Sequence, residues 1–280
     1  MNTVTVIGAP WDASSSFQRG ASGAPPLIRR ALWSDSSNAW NERGDNLAAE
    51  GVLEDGGDVE LPGDAAGARD AIEQRVRQAL KDGRRPLILG GDHSISYPVL
   101  RAFGGRAEPP TVIHLDAHAD LYDEFPLSRP GTADDGAGRG DRFSHACPFA
   151  RIMEERLAAR LVQVGIRTLN AHQRSQAGKF GVEILGAERW RDAIPLLGRV
   201  RGALYVSIDL DVLDPAFAPG VSHPEPGGLS VRDVLELLGA IKVPVIGADI
   251  VEYNPLNDVR DLTARVAAKF VKELVGVLRR

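Results

Sequence analysis

The chain places Asp116-Ala117-His118-Ala119-Asp120 directly after Val112-Ile113-His114-Leu115, a run of mostly β-branched and aliphatic residues. Two further stretches close runs of the same kind, Gly90-Gly91-Asp92-His93-Ser94 and Ser207-Ile208-Asp209-Leu210-Asp211. In an extended chain alternate side chains point to one side, so Asp-x-His-x-Asp and Asp-x-Asp patterns would direct their polar groups together. The stretches therefore predict that potential metal ligands converge on one spot.

Runs of strand-like composition alternate with segments of helical periodicity along the whole chain. The predicted strands are residues 3–7, 52–54, 86–89, 111–115, 161–165, 182–185, 203–208 and 243–250. The predicted helices include residues 65–80, 148–159, 231–240 and 262–278. Apolar strands separated by helices indicate right-handed βαβ crossovers and a parallel sheet covered on both sides. We therefore predict an α/β fold, in a single domain over residues 1–280.

The composition is that of an ordinary globular protein. The 280 residues are 43% hydrophobic and 25% charged, with a net charge of -5 and no basic stripe. Nucleic acid and membranes are therefore not expected as partners, since either would need basic patches or an apolar run of about 20 residues. Cys147 is the single cysteine, and no secretory leader precedes the first strand, so we expect a cytoplasmic location.

The three polar stretches all follow predicted strands, and ligands of parallel sheets bind beyond the carboxyl ends of the strands. Four carboxylates and two imidazoles form a hard donor set that favours manganese or a similar divalent ion. One cation would leave the carboxylates poorly neutralised, whereas two cations about 3.5 to 4 Å apart balance them and make water nucleophilic. The pattern predicts a two-metal hydrolase, although each aspartate alone is also typical of a strand-end turn.

The same stretches resemble the ureohydrolases, the family of arginase, agmatinase, formimidoylglutamase and related guanidino-acid hydrolases. Four more stretches carry this resemblance: Gly8-Ala9-Pro10-Trp11-Asp12, Ser144-His145-Ala146-Cys147-Pro148-Phe149, Pro224-Glu225-Pro226-Gly227-Gly228-Leu229 and Val251-Glu252-Tyr253-Asn254-Pro255. The resemblance extends from the first predicted strand to the last helix. It implies a three-layer αβα sandwich around an eight-stranded parallel sheet, and a homo-oligomer, either a trimer or a hexamer.

The resemblance also implies two manganese ions and a role for each ligand. It implies that one ion is bound by His93 and Asp120 and the other by His118 and Asp211. Asp116 and Asp209 are implied to bridge the two ions. The implied reaction is attack of a bridging hydroxide on the carbon of a small guanidino or formimino substrate. A guanidino substrate then yields urea and an amine.

Three residues are candidates for the chemistry beside the metals. An amine is a poor leaving group unless it is protonated, so the reaction needs a general acid. Asp120 and His145 are the candidates, and His145 stands where the resemblance implies a proton-shuttle histidine. Glu252 is the candidate for the guanidinium contact, because planar nitrogen donors pair with carboxylates. Alone, His145 would more often be a loop histidine and Glu252 a solvated acid.

The sequence defines the substrate tail, the part beyond the guanidino group, less well than it defines the metal ligands. Arginases have an acidic residue shortly after a Gly-Ile/Leu-Arg strand end, whereas Gly165-Ile166-Arg167 here runs into Thr168-Leu169-Asn170-Ala171-His172. This difference favours an agmatine-like guanidino substrate over arginine. Ala218-Pro219-Gly220-Val221-Ser222 resembles formimidoylglutamase, which releases formamide, so that activity and those of arginase and guanidino-acid hydrolases stay open. His223 would line the pocket or fill a turn, and the segment from Pro126 to Asp141 would bear on recognition of the tail.

Other protein classes fit the sequence less well. A two-metal phosphoesterase would need Gly-Asn-His and Gly-His-x-His motifs, and the deacetylases of this fold would need a His-His pair. The sequence contains none of these. A metal-binding protein without catalysis is the remaining alternative, but the presence of every ligand and of His145 favours an enzyme.

Overall fold

Eight parallel strands form one sheet in the computed structural model, which describes residues 3–126 and 140–280. In chain order they are β1 (Val4–Ala9), β2 (Leu53–Asp58), β3 (Arg85–Gly90), β4 (Thr111–Leu115), β5 (Arg160–Ile166), β6 (Glu183–Gly186), β7 (Leu204–Asp209) and β8 (Val245–Val251). Their spatial order is β2-β1-β3-β8-β7-β4-β5-β6, and all neighbours are parallel. The predicted eight-stranded parallel sheet is confirmed.

Helices cover both faces of this sheet. In the described ranges they are α1 (Ala24–Leu32), α2 (Ala65–Lys81), α3 (Ser96–Ala102), α4 (Pro148–Glu154), α5 (Ala171–Phe180), α6 (Ala193–Leu197), α7 (Val231–Ala240) and α8 (Leu262–Leu278). Helices α1, α6, α7 and α8 pack into one hydrophobic core, and α2 to α5 pack into a second one. Strand alternation separates the cores, since Leu87 and Leu89 of β3 belong to the first and Ile88 to the second. The three-layer αβα sandwich is therefore confirmed.

The helices agree less well with the sequence patterns than the strands do. The helix predicted over residues 148–159 ends at Glu154, and Arg156 has a left-handed φ of 54°. The patterns also leave α1, α3, α5 and α6 unpredicted. Residues 127–139, which make up most of the segment from Pro126 to Asp141 expected to bear on recognition of the substrate tail, lie outside the described residues. Within the described ranges, no helix combines the length and apolarity needed to cross a membrane.

The central strands β3, β8, β7 and β4 end at one edge of the sheet, which brings the loops that follow them together. The loop after β1 also reaches this edge, where it packs against Gly91 of the loop after β3. A Cβ atom at Gly91 would lie 1.8 Å from the carbonyl oxygen of Trp11, so only glycine fits there. The amide of Asp92 consequently donates to that carbonyl at 2.8 Å.

Candidate metal centre

The six predicted ligands all lie at or just past the carboxyl ends of three central strands. His93 begins a 3₁₀ helix after β3, and Asp116 directly follows β4. Asp209 ends β7, and Asp211 lies in the 3₁₀ helix that follows it. The structure brings these residues together with His118 and Asp120, which share the bend after β4.

The expectation that the ligand stretches are extended is wrong. The chain bends after Leu115, and Asp120 has a φ of 48°, in the left-handed region that few residues other than glycine adopt. After β7, Leu210–Val212 forms a 3₁₀ helix, and the side chain of Asp209 accepts a 2.8 Å hydrogen bond from the amide of Asp211. The side chains therefore converge because the chain turns around the site, and not because a strand alternates.

Three carboxylates surround one nitrogen of His93. Nδ1 of His93 lies 3.1 Å from Oδ2 of Asp116 and 3.1 Å from Oδ2 of Asp209. Oδ2 of Asp120 lies 3.2 Å from the same nitrogen. All four side chains are buried. Such a set of inward-facing oxygens around one imidazole nitrogen fits a divalent cation.

A second group of ligand atoms lies around His118. Its Nδ1 is 2.9 Å from Oδ2 of Asp211 and 3.5 Å from Oδ1 of Asp116. Asp116 thus turns one oxygen toward each histidine, as its predicted bridging role requires. For Asp209 the structure gives contacts with His93 and with the backbone of Asp211, so its bridging role stays a prediction.

The electrostatics of the two groups also suit cations. Burial raises the pKa of Asp209 well above its usual range, and the neighbouring Asp211 and Asp116 raise it further. Burial and Asp116 likewise raise the pKa of Asp211 to about 6. Crowded, buried carboxylates resist ionisation because each anion lacks solvent and repels the others. Two divalent cations would compensate this charge, so the residues fit the predicted pair of ions.

His145 and Glu252 form an ion pair beside this centre. Nδ1 of His145 lies 2.9 Å from Oε1 of Glu252, and its Nε2 lies 2.8 Å from Oγ of Ser16. Burial alone would lower the pKa of His145, but the Glu252 carboxylate outweighs it and raises that pKa to about 9. A protonated imidazole at this position can donate a proton. No pattern in the sequence had indicated Ser16.

The backbone of Glu252 is strained and its carboxylate is only partly used. Its φ of 63° lies in the left-handed region, where a non-glycine residue costs free energy. Oε1 accepts hydrogen bonds from His145 and from the amide of His93, at 2.9 Å each. Oε2 is buried and has no hydrogen-bond partner among the described residues. This free oxygen can accept a hydrogen bond from a ligand.

A cavity of ≈ 260 Å³ opens above these groups. His118, Asp120, His145, Asp209, Asp211 and Glu252 contribute to its wall, and the remaining described lining residues include Ser16, Tyr122, Thr168, Gln173, His223 and Glu225. His223 therefore lines the pocket, which decides between its two predicted locations. Its ring lies 5.0 Å from that of His145, and burial, together with the charge of His145, lowers its pKa to about 4.

Several buried polar side chains behind the ligands were not recognised as part of the site. His114, on β4, lies with Nε2 2.7 Å from Oδ2 of Asp116, and Gln163 donates to its Nδ1 at 2.9 Å. Ser207 and Asp249 lie behind His93. A polar residue in an otherwise apolar strand would have indicated these side chains, because a buried polar group needs a hydrogen-bond partner inside the protein. Cys147 is also buried, and burial raises the pKa of its thiol to about 12.

The fold and the site define a class of α/β protein with a buried cluster of candidate metal ligands at the carboxyl edge of a parallel sheet. The chain belongs to the arginase family, whose sequence pattern matches residues 2–276. The predicted resemblance to the ureohydrolases is therefore confirmed.

Individual relatives match nearly the whole chain. Arginase 1, mitochondrial, of Arabidopsis thaliana is 44% identical over 288 residues, which cover 98% of this chain and 80% of that protein. The agmatinase of Bacillus anthracis is 31% identical over 97% of this chain and 90% of that protein. The solved structure of the arginase from Medicago truncatula is 42% identical, with a TM-score of 0.89 over 99% of this chain and 87% of that one.

Proposed function

We propose that the chain hydrolyses the guanidino C–N bond of arginine with two manganese ions, releasing urea and an amine. A relative that is 44% identical is named an arginase, whereas the agmatinase is 31% identical. This difference supports arginine over the agmatine-like substrate that the sequence patterns favour. Agmatine is the second candidate.

The observation that carries the proposal is the free Oε2 of Glu252. This oxygen is buried, lacks a partner among the described residues, and belongs to a carboxylate that lines the cavity beside the six candidate ligands. An unpaired buried carboxylate oxygen is costly, and a guanidinium N–H would satisfy it. A planar cation held there would lie next to the metal centre.

The side chains around the cavity support hydrolysis. Two divalent cations, when bound, make water nucleophilic near neutral pH. Glu252 holds the guanidinium, and His145 carries a proton on a ring that faces the same cavity. Donation of this proton to the leaving nitrogen lets it depart as a neutral amine.

Glu225 supports a substrate with an ammonium group on its tail. Its carboxylate lines the cavity and is 41% exposed, with Oε1 4.0 Å from Nε2 of His118. Arginine and agmatine both carry an ammonium group at the end away from the guanidinium, whereas guanidino acids do not. The acid that the sequence lacks after Arg167 is thus replaced, in this proposal, by an acid from another segment.

The proposal is tested with a substrate panel on the manganese-loaded protein. The panel contains arginine, agmatine, guanidinobutyrate, guanidinopropionate and formimidoylglutamate, and urea or formamide is measured. We expect urea from arginine with the highest kcat/KM, agmatine second and the guanidino acids far behind. If formamide from formimidoylglutamate is the main product, formimidoylglutamate replaces arginine as the proposed substrate. If no compound of the panel gives a product, the proposal is overturned.

A further inference from the structure

A second cavity, of ≈ 450 Å³, lies at the amino edge of the sheet, opposite the candidate metal centre. Arg85, which begins β3, contributes to its wall, as do Ala203 and Pro244, which directly precede β7 and β8. A strand of six residues spans about 20 Å, so this amino-edge cavity is separated from the metal centre by the length of the sheet. A ligand bound here would therefore not be the substrate.

The wall of the amino-edge cavity is positively charged. Its described lining residues include Arg84, Arg85 and Arg106 and no acidic residue. Nε of Arg84 lies 2.9 Å from Oε1 of Glu54, so the charge of Arg84 is compensated. Arg85 donates from Nη1 to the carbonyl oxygen of Val245 at 3.2 Å, and this contact leaves its charge in place. Among the described residues, neither Arg85 nor Arg106 forms an ion pair.

The two uncompensated guanidinium groups repel each other. Burial lowers the pKa of Arg85, and the charge of Arg106 lowers it further. Two neighbouring cations in a concave, partly buried site create a positive potential that attracts anions. An anion bound between them would remove the repulsion, and a guanidinium can form paired hydrogen bonds with the oxygens of a phosphate or carboxylate.

An apolar wall lies beside these charges. Phe103 and Ile246 are buried and Leu80 is half-buried, and all three line the amino-edge cavity. An inorganic anion would leave this surface in contact with water, whereas an organic anion would cover it. A phosphate monoester carries a charge of about -1.5 to -2 near neutral pH, which matches the two uncompensated arginines.

We propose that the amino-edge cavity is a second ligand site, which binds a small phosphate monoester with an apolar group. Arg85 and Arg106 hold the phosphate, and Leu80 and Phe103 contact the apolar group. The proposal is independent of the reaction at the metal centre, because no candidate metal ligand lines this cavity.

Calorimetry with phenyl phosphate on the full-length, manganese-loaded protein tests the proposal. Arg106→Gln should weaken binding about 10-fold or more, because it removes a charge-assisted hydrogen bond. Arg106 is exposed, so this change should not disturb folding. Arg191→Gln is the matched control, since it removes the same charge from an arginine that is 69% exposed and lies outside the cavity. It should keep the affinity of the parent protein.

Two further measurements locate the ligand. Inorganic phosphate should bind more weakly than phenyl phosphate, because it has no apolar group to cover the wall. In crystals soaked with 4-bromophenyl phosphate, the anomalous signal of bromine should lie beside Leu80 and Phe103. The signal should be lost at that place in crystals of Arg106→Gln.

Four results would overturn the inference. They are no binding of phenyl phosphate, equal affinity in the parent protein and Arg106→Gln, equal weakening in the two arginine variants, and a bromine signal only at the metal centre. Equal weakening would show a general attraction of anions to the protein, and a signal only at the metal centre would show that the phosphate binds the metal ions instead.

Discussion

Nδ1 of His145 lies 2.9 Å from Oε1 of Glu252, although 107 residues separate them in the chain. The two groups stabilise each other's charged forms. Glu252 raises the pKa of His145 to about 9 despite burial, and His145 lowers the pKa of the buried Glu252. The pair therefore places a protonated imidazole and a carboxylate in the wall of one cavity near neutral pH. This relationship connects the proposed proton donor to the proposed guanidinium contact.

The first prediction concerns the titration of His145. In the metal-free protein, ring NMR should give an apparent pKa of about 9. This value lies above the ordinary histidine pKa of about 6.5, so the ion pair stabilises the folded protein. Its contribution is complete below about pH 6.5 and is lost as the pH rises through about 9. Glu252→Gln should lower the pKa of His145, since an amide cannot compensate the imidazolium. An unchanged pKa in this variant would rule out Glu252 as the cause.

The second prediction separates proton transfer from metal binding. His145→Asn should lower kcat on arginine by about 10² to 10⁴, the usual contribution of a positioned general acid. Manganese content, measured by elemental analysis, should stay at two ions for each chain, because the candidate ligands are untouched. Loss of metal in this variant would make His145 a ligand or a structural residue instead.

The third prediction concerns the guanidinium contact. Glu252→Gln should reduce kcat/KM for arginine by about 10- to 100-fold, since a charge-assisted hydrogen bond becomes a neutral one. Steady-state kinetics with arginine give this value, and metal content serves as the control. Unchanged kcat and KM would exclude Glu252 from substrate binding.

The fourth prediction concerns a ligand at the base of the site. Asp209→Ala should lose manganese and urea production together, because it removes a buried carboxylate oxygen that lies 3.1 Å from Nδ1 of His93. Asp70→Ala, on the exposed side of α2, is the matched control and should keep both. Full activity in Asp209→Ala would contradict the assignment of this ligand.

Much of the fold could be predicted from the sequence because most of its strands are apolar on both faces. In β3, Leu87, Ile88 and Leu89 contribute to cores on opposite sides of the sheet, so the whole strand is apolar and easily recognised. Short helices such as α6, with five residues, span too few turns for their periodicity to be read.

The six candidate ligands could be predicted from the sequence, but their geometry and several of their polar neighbours could not. The polar stretches identify His93, Asp116 and Asp209 because each residue lies at or just past the carboxyl end of a strand. The local conformations depend on tertiary contacts, as at Glu252, whose φ of 63° accompanies a 2.8 Å hydrogen bond from its amide to the carbonyl of Gly91. Ser207 lies in one of the ligand stretches, but its hydrogen bond to Asp249, a residue of another strand, cannot be read from the sequence.

We propose that six side chains at the carboxyl edge of the sheet hold two divalent cations. Anomalous diffraction from crystals grown with manganese would locate these ions. We expect two manganese peaks in each chain, one bound to Nδ1 of His93 and one bound to Nδ1 of His118, with Asp116 between them. A manganese-saturated crystal without a peak at either histidine would contradict it.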